Sequence, residues 1–281
     1  MNHQSSTRPA APAGCRVAGH ALVESRLSAL DDLRGRAAPA GGPALPPRFL
    51  RHADEQTVVG LHAVLAVIAT GDPQADLARH AVIAASCQSG RLAAARTLAQ
   101  LPTGGAATVS PHVVPQCSLH SVAGAVSVAL GMHGPHLGVG GGPEALAEGL
   151  LTAATVLTHG DPECTAAWLV ATDWDEEPAL DPAGRPRTDP VCRGLAIKLV
   201  PAGAGRDDGE PLEGLELMIR PTTGHGPAPR LHEPTGGLVA LARALSHGGP
   251  GRAHAAWAID SPWAQIRLVS GSDAVGTREA A

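Results

Sequence analysis

Apolar positions along this chain follow two alternating patterns. The runs at 81–86 and 166–173 are continuously apolar and short, which is typical of strands covered on both faces. Residues 56–70 place apolar side chains at helical spacing. The same patterns predict further helices at 74–79, 90–101, 122–130, 144–157 and 238–246, and further strands at 15–23, 137–139, 192–201 and 215–221, with a terminal hairpin over 255–269.

The order of these elements predicts an α/β fold. Strands that alternate with helices favour a mostly parallel sheet. The strands 192–201 and 215–221 follow each other without a helix, so we expect them to be antiparallel and to give the sheet an antiparallel edge strand. No linker divides the chain, and we expect one domain over 15–270 between disordered tails at 1–14 and 271–281.

The centre of the chain predicts a strand, a glycine turn and a helix in direct succession. Gly140, Gly141, Gly142 and Pro143 lie between the strand and the helix. Such a joint commonly holds a nucleophile, because a helix N-terminus lowers a thiol pKa and backbone N–H groups stabilise an oxyanion. Here the turn carries no Cys, Ser or Thr. Pro143 fits the first turn of a helix but has no nucleophilic atom.

Composition narrows the class of partner. Of the 281 residues, 44% are hydrophobic, enough for a buried core, and the net charge is −5 without a basic cluster, so we expect no nucleic acid. No apolar run reaches the roughly 20 residues that span a bilayer.

Five single cysteines fit a reduced, cytoplasmic setting. The histidines lack zinc spacing and the glycine run lacks a dinucleotide fingerprint, so we expect neither a metal nor a cofactor.

Short motifs make the chain resemble a known family. It is similar to the β-ketoacyl synthase N-terminal-like proteins, half-length ketosynthase relatives that include chain length factors of aryl polyene and type II polyketide clusters. One departure is Ser121, where relatives tend to have Asn. The resemblance is carried by Pro47-Arg48, Arg51-His52, Ser110-Pro111, Ser118-x-His120, the glycine turn, Glu148-Gly149-Leu150, Ala153-Ala154 and the segment 169–173 before an acidic turn.

The resemblance implies half of a thiolase-like fold without catalysis of its own. Counted from Gly134-Pro135, the family's cysteine position falls on Pro143. The implied function is a non-catalytic subunit, a chain length factor, that pairs with an active β-ketoacyl synthase, meets its acyl carrier protein and shapes the acyl pocket. The implied interface and pocket residues are Ser118, His120, Val122, Ala125, Val126, Ala129, Leu137, Gly138 and Val139.

Two other functions remain open from the residues. Cys117 and His120 would share one face if they lay on one helix, and a Cys–His pair, or Cys87 with His120, would suit a thioester hydrolase or acyltransferase. The third possibility is a scaffold or carrier-protein-binding module. The string 222–226 (TTGHG) is interpreted as a loop.

Overall fold

The computed structural model describes residues 13–39, 42–46, 48–72, 75–202, 215–221, 236–247, 257–261 and 264–270. Residues 1–12 and 271–281 of the predicted tails, Pro47 and the 222–226 string lie outside the described residues. Ala13 and Gly14, expected in the N-terminal tail, instead begin the first strand.

One eight-stranded sheet organises the fold. Its strands lie in the order β3-β2-β4-β5-β1-β6-β8-β7. They are β1 Ala13–Arg26, β2 His80–Cys87, β3 His136–Gly141, β4 Ala166–Trp174, β5 Val191–Pro201, β6 Leu215–Pro221, β7 Trp257–Asp260 and β8 Ala264–Ser270.

The expected α/β class is confirmed, but the expected mostly parallel sheet is wrong. Among the described strands only β2–β3 and β2–β4 pair in parallel, and the other five pairings are antiparallel. Parallel pairs occur where helices connect the strands. β5 and β6 do not pair as expected: each lies antiparallel to β1, one on either side, so the two run in the same direction. The terminal hairpin is confirmed as β7–β8.

Seven α-helices accompany the sheet in the described residues. They are α1 Leu30–Gly35, α2 Glu55–Ala69, α3 Arg91–Gly104, α4 Val113–Gln116, α5 Ser121–Leu130, α6 Ala145–His159 and α7 Gly236–His247, with 3₁₀ turns at Leu27–Ala29 and Ala106–Thr108.

Helix α2 shows why the predicted helices form. Asp54 precedes it, and its carboxylate accepts the N–H of Thr57 at 2.5 Å, which satisfies one of the unpaired N–H groups of the first turn. The helix predicted at 74–79 is wrong over 75–79, where Asp76 Oδ1 instead accepts the N–H of Ala78 in a turn. Helix α3 continues through Pro102 to Gly104, beyond its predicted end.

Two apolar layers cover the sheet. Leu150 of α6 and Leu241 of α7 belong to the core on one face. On the other face α2 packs against α5, and a Cβ on Gly60 would lie 3.0 Å from Cγ1 of Val122. Small residues therefore let these helices approach each other closely. The glycine turn lies at the end of the sheet where α6 begins.

Candidate functional site

The predicted strand, glycine turn and helix are present in the structure. β3 ends at Gly141, and α6 begins at Ala145 with Glu144 as its N-cap. Gly140 and Gly141 have φ of +89° and +103°, in the region that favours glycine. A Cβ on Gly140 would lie 2.5 Å from the Cβ of Ala145. The turn therefore needs glycine to bring the strand directly onto the start of α6.

Pro143 is exposed and immediately precedes the N-cap of α6. The expectation that it lies in the first helical turn is wrong by two residues, because the helix begins at Ala145. Glu148 lies in the first turn, and burial, followed by the charge of Glu148, raises the pKa of Glu144. A helix N-terminus that carries two carboxyl groups opposes a thiolate or an oxyanion at this joint.

The turn before α5 packs directly on β3. A Cβ on Gly138 would collide with the carbonyl group of Leu119. Ser118 Oγ accepts the N–H of His120 at 3.2 Å, and the rings of His120 and His136 lie 5.0 Å apart, tilted by 49°. The structure thus brings Ser118, His120 and Gly138 of the predicted interface set together beside the edge strand.

Cys117 and His120 lie on different elements of the structure. Cys117 is the C-cap of α4 and His120 the N-cap of α5, so the two residues do not share one helix, which was the condition for a common face. The Cys117 thiol donates to the carbonyl of Gly90 at 3.4 Å, and no hydrogen bond among the described residues joins it to His120. Burial, followed by the charge of Asp54, raises the pKa of Cys117. Its surroundings therefore favour the neutral thiol over the thiolate.

Cys87 ends β2 and is also held in its thiol form. Burial raises its pKa, and the negative charge of Asp173 raises it further. The carbonyl of Cys87 accepts a hydrogen bond of 2.6 Å from Gln56 Nε2. Among the residues that the structure describes, no hydrogen bond joins either thiol to a base of the kind that nucleophilic catalysis needs.

The surface beside the turn is an open strand edge. Within the described part of the sheet, β3 pairs with β2 alone, so its other edge is free. Leu137 on this strand is 41% exposed and Val128 on the neighbouring helix α5 is 73% exposed. An unpaired edge with large apolar side chains is typical of a surface that pairs with another chain.

Burial divides the predicted surface residues of α5. Val122 and Val126 lie in the core, so the expectation that they contact a partner is wrong. Ala129 is partly buried and also packs against that core. Ala125 is partly exposed and lies one turn from Val128, on the outer side of the helix.

A buried charge cluster near the end of β4 was missed from the sequence. Asp173 is 4% exposed, and neither of its carboxylate oxygens accepts a hydrogen bond from the described residues. Arg193 Nη1 lies 4.0 Å from it, while Arg193 Nε donates to Glu24 at 2.9 Å. Burial raises the pKa of Asp173 to about 7, against the lowering effect of Arg193. The sequence feature that could have predicted this cluster is an aspartate at the end of a continuous apolar run.

Neither a metal site nor a membrane-spanning helix is found among the residues that the structure describes. No group of three or more His, Cys, Asp or Glu side chains there is arranged to hold a metal ion. None of the described helices combines the length and the apolar character needed to cross a membrane.

Comparisons with known proteins bear on the fold. No family model and no curated protein matches the chain. A solved structure of a ketosynthase in complex with its chain length factor, from Xenorhabdus doucetiae, matches with a TM-score of 0.52 and 14% identity. That match covers 90% of this chain and 98% of the other. This chain has a ketosynthase-like fold. The ketosynthase-like fold thus extends over nearly the full length of both chains.

Two further structures are similar at lower scores. A β-ketoacyl synthase from Burkholderia phymatum has a TM-score of 0.47 at 14% identity, covering 82% of this chain and 69% of that one. The ishigamide ketosynthase/chain length factor has a TM-score of 0.45 at 14% identity, covering 78% of this chain and 66% of that one.

Proposed function

We propose that this chain is a non-catalytic ketosynthase-like subunit. It pairs with an active β-ketoacyl-acyl carrier protein synthase in polyketide or fatty-acid-like biosynthesis and shapes the pocket that holds the growing acyl chain. The observation that carries the proposal is a strand-to-helix joint, in a chain with a ketosynthase-like fold, whose turn from Gly140 to Pro143 offers no nucleophile.

The chemistry around the joint supports the absence of catalysis. Pro143 takes the position at which the resemblance places a cysteine, and Glu144 and Glu148 follow it. Negative charge at the helix N-terminus destabilises the anion that acyl transfer must form. The thiols of Cys87 and Cys117 have raised pKa values, so neither replaces the missing group.

The free edge of β3 supports the pairing. Its main-chain groups and the exposed side chain of Leu137 are available to a second chain, and Val128 extends the apolar surface onto α5. The Xenorhabdus structure is a ketosynthase bound to its chain length factor, which fits a partner of the same fold. An obligate interface of this type buries on the order of 2,000 Å² or more.

Co-expression tests the proposal. We expect a candidate partner ketosynthase to co-purify with this chain as a stable one-to-one complex, measured by light scattering after gel filtration. If this chain is a monomer and does not bind the ketosynthase, the proposal is contradicted. If this chain forms a homodimer and does not bind the ketosynthase, the scaffold function is favoured instead, because a second copy of this chain also fits an open strand edge.

A further inference from the structure

A cavity of about 340 Å³ lies at the end of the sheet opposite the glycine turn. The turn follows the C-terminal end of β3, whereas this cavity lies where α2 ends and where β4 begins. Its apolar walls are formed by Val67, Ile68, Leu77 and Trp168. The cavity is therefore separate from the joint on which the proposed function rests.

Lys198 lines this cavity and is the only lysine among the chain's 21 basic residues. Its side chain is partly buried, and Nζ lies 5.8 Å from the ring centroid of Trp168. Among the described residues, no carboxylate oxygen lies within 4.0 Å of Nζ, although Asp72 lines the same cavity. Within the described part of the chain, the cavity thus holds a cationic group without a close acidic partner.

The wall opposite the ammonium group is held in place by a hydrogen bond. Trp168 Nε1–H donates to His80 Nδ1 at 3.0 Å, which requires that nitrogen to be unprotonated. Burial, followed by the charge of Lys198, lowers the pKa of His80 to about 4, so His80 is neutral at pH 7. Lys198 supplies the positive charge here, and burial lowers its pKa as well. An ammonium group that is partly removed from water is stabilised when an anion binds beside it.

We propose that this cavity binds a small monocarboxylate with an apolar tail, its carboxylate on Lys198 Nζ and its tail against the Trp168 wall. The volume is at the lower end of the range of small-molecule sites, roughly 300 to 1,000 Å³, and suits a molecule the size of hexanoate. A single ammonium group is a point charge that suits one carboxylate. Asp72 at the same cavity repels a dianion such as phosphate more strongly than a monoanion.

The single lysine makes a selective measurement possible. Reductive methylation with ¹³C-formaldehyde labels only Lys198 and the α-amino group, and both remain cationic. On titration with hexanoate, we expect the Lys198 methyl signal to shift and to saturate, while the α-amino signal stays in place. Hexanol, which lacks the charge, and inorganic phosphate, which lacks the tail, are expected to leave the Lys198 signal in place.

Two variants locate the site. Lys198→Gln should weaken hexanoate binding, measured by calorimetry on unlabelled protein, by about tenfold or more, because a charged hydrogen bond is lost. Ala18→Trp keeps the lysine but places a large ring from an exposed position at the cavity, and should abolish the saturable shift. Equal, non-saturating shifts of both amine signals, or undiminished binding by Lys198→Gln, would overturn the proposal.

Discussion

A Cβ atom on Gly140 would lie 2.5 Å from the Cβ of Ala145, so the last part of β3 and the first residue of α6 are in direct contact. This contact fixes where the helix begins relative to the strand. It also keeps the joint compact although its turn carries no nucleophilic side chain. The joint is therefore a packing feature that can be tested without any activity.

Gly140→Ala should destabilise the protein. The residue adopts φ of +89°, where a side chain costs roughly 1 to 3 kcal/mol, and the new methyl group would collide with Ala145. Gly142→Ala is the matched control, because a Cβ there meets nothing within 4 Å. Urea unfolding measures both variants. Equal stabilities of the two would show that the contact does not constrain the joint.

Asp173 should make the free energy of unfolding depend on pH. Its pKa is about 7 in the folded chain and 3.8 ordinarily, so the folded state retains the proton between those values. Stability should fall as pH rises from about 4 to about 7, by up to about 1.4 kcal/mol per pH unit, and this decrease should be absent in Asp173→Asn.

Asp175→Asn offers a second variant in the same cluster. The charge of Asp175 raises the pKa of Asp173, so its removal should lower that pKa and narrow the pH range of the decrease. Denaturant unfolding at several pH values measures all three proteins. Parallel pH profiles for the wild type and Asp173→Asn would exclude Asp173 as the titrating group.

Leu137→Asp should weaken the complex with the ketosynthase. A charge on the edge strand would be desolvated in the interface and would oppose strand pairing. The control is Ala258→Asp, at an exposed position of β7 on the opposite edge of the sheet. Co-purification yields measure the effect. If both variants lose the complex, or if neither does, the interface does not lie at β3.

The sequence predicted individual elements better than their arrangement. The apolar runs in β2 and β4 and the helical spacing in α2 are local, so their types were predicted correctly. The insertion of β1 between β5 and β6 is not local, because it pairs residues such as His20 and Ile197 that lie far apart in the chain. Local patterns carry no information on such pairings.

The candidate site was predictable to a similar extent. The glycine turn is visible because its residue types are unusual. The burial of Val122 and Val126, in contrast, depends on which side of α5 faces α2, and a helix of small residues gives a weak amphipathic signal. The position of Lys198 at a cavity depends on which strands lie side by side in the sheet, and the sequence does not reveal this order.

Ala125→Phe should shorten the product of the reconstituted pair without abolishing condensation. Ala125 is partly exposed on the outer side of α5, so a ring there would occupy space at the interface or acyl pocket. Ala129→Phe instead overpacks the core, at a cost of about 1 to 3 kcal/mol, and should lower stability without a matching change in chain length. Mass spectrometry of the products distinguishes the two. Unchanged product length with Ala125→Phe in an intact complex would exclude this helix from the acyl pocket.

Intact-mass spectrometry of the two subunits tests the central claim most directly. The purified pair is incubated with an acyl-loaded carrier protein, and the mass of each chain is measured before and after, with Cys117→Ala and Cys87→Ala as control variants. We predict that the ketosynthase gains the acyl group and that this chain gains none, because the resemblance places the nucleophile position at Pro143, which has no nucleophilic atom. An acyl adduct on this chain that disappears with Cys117→Ala or Cys87→Ala would contradict the account.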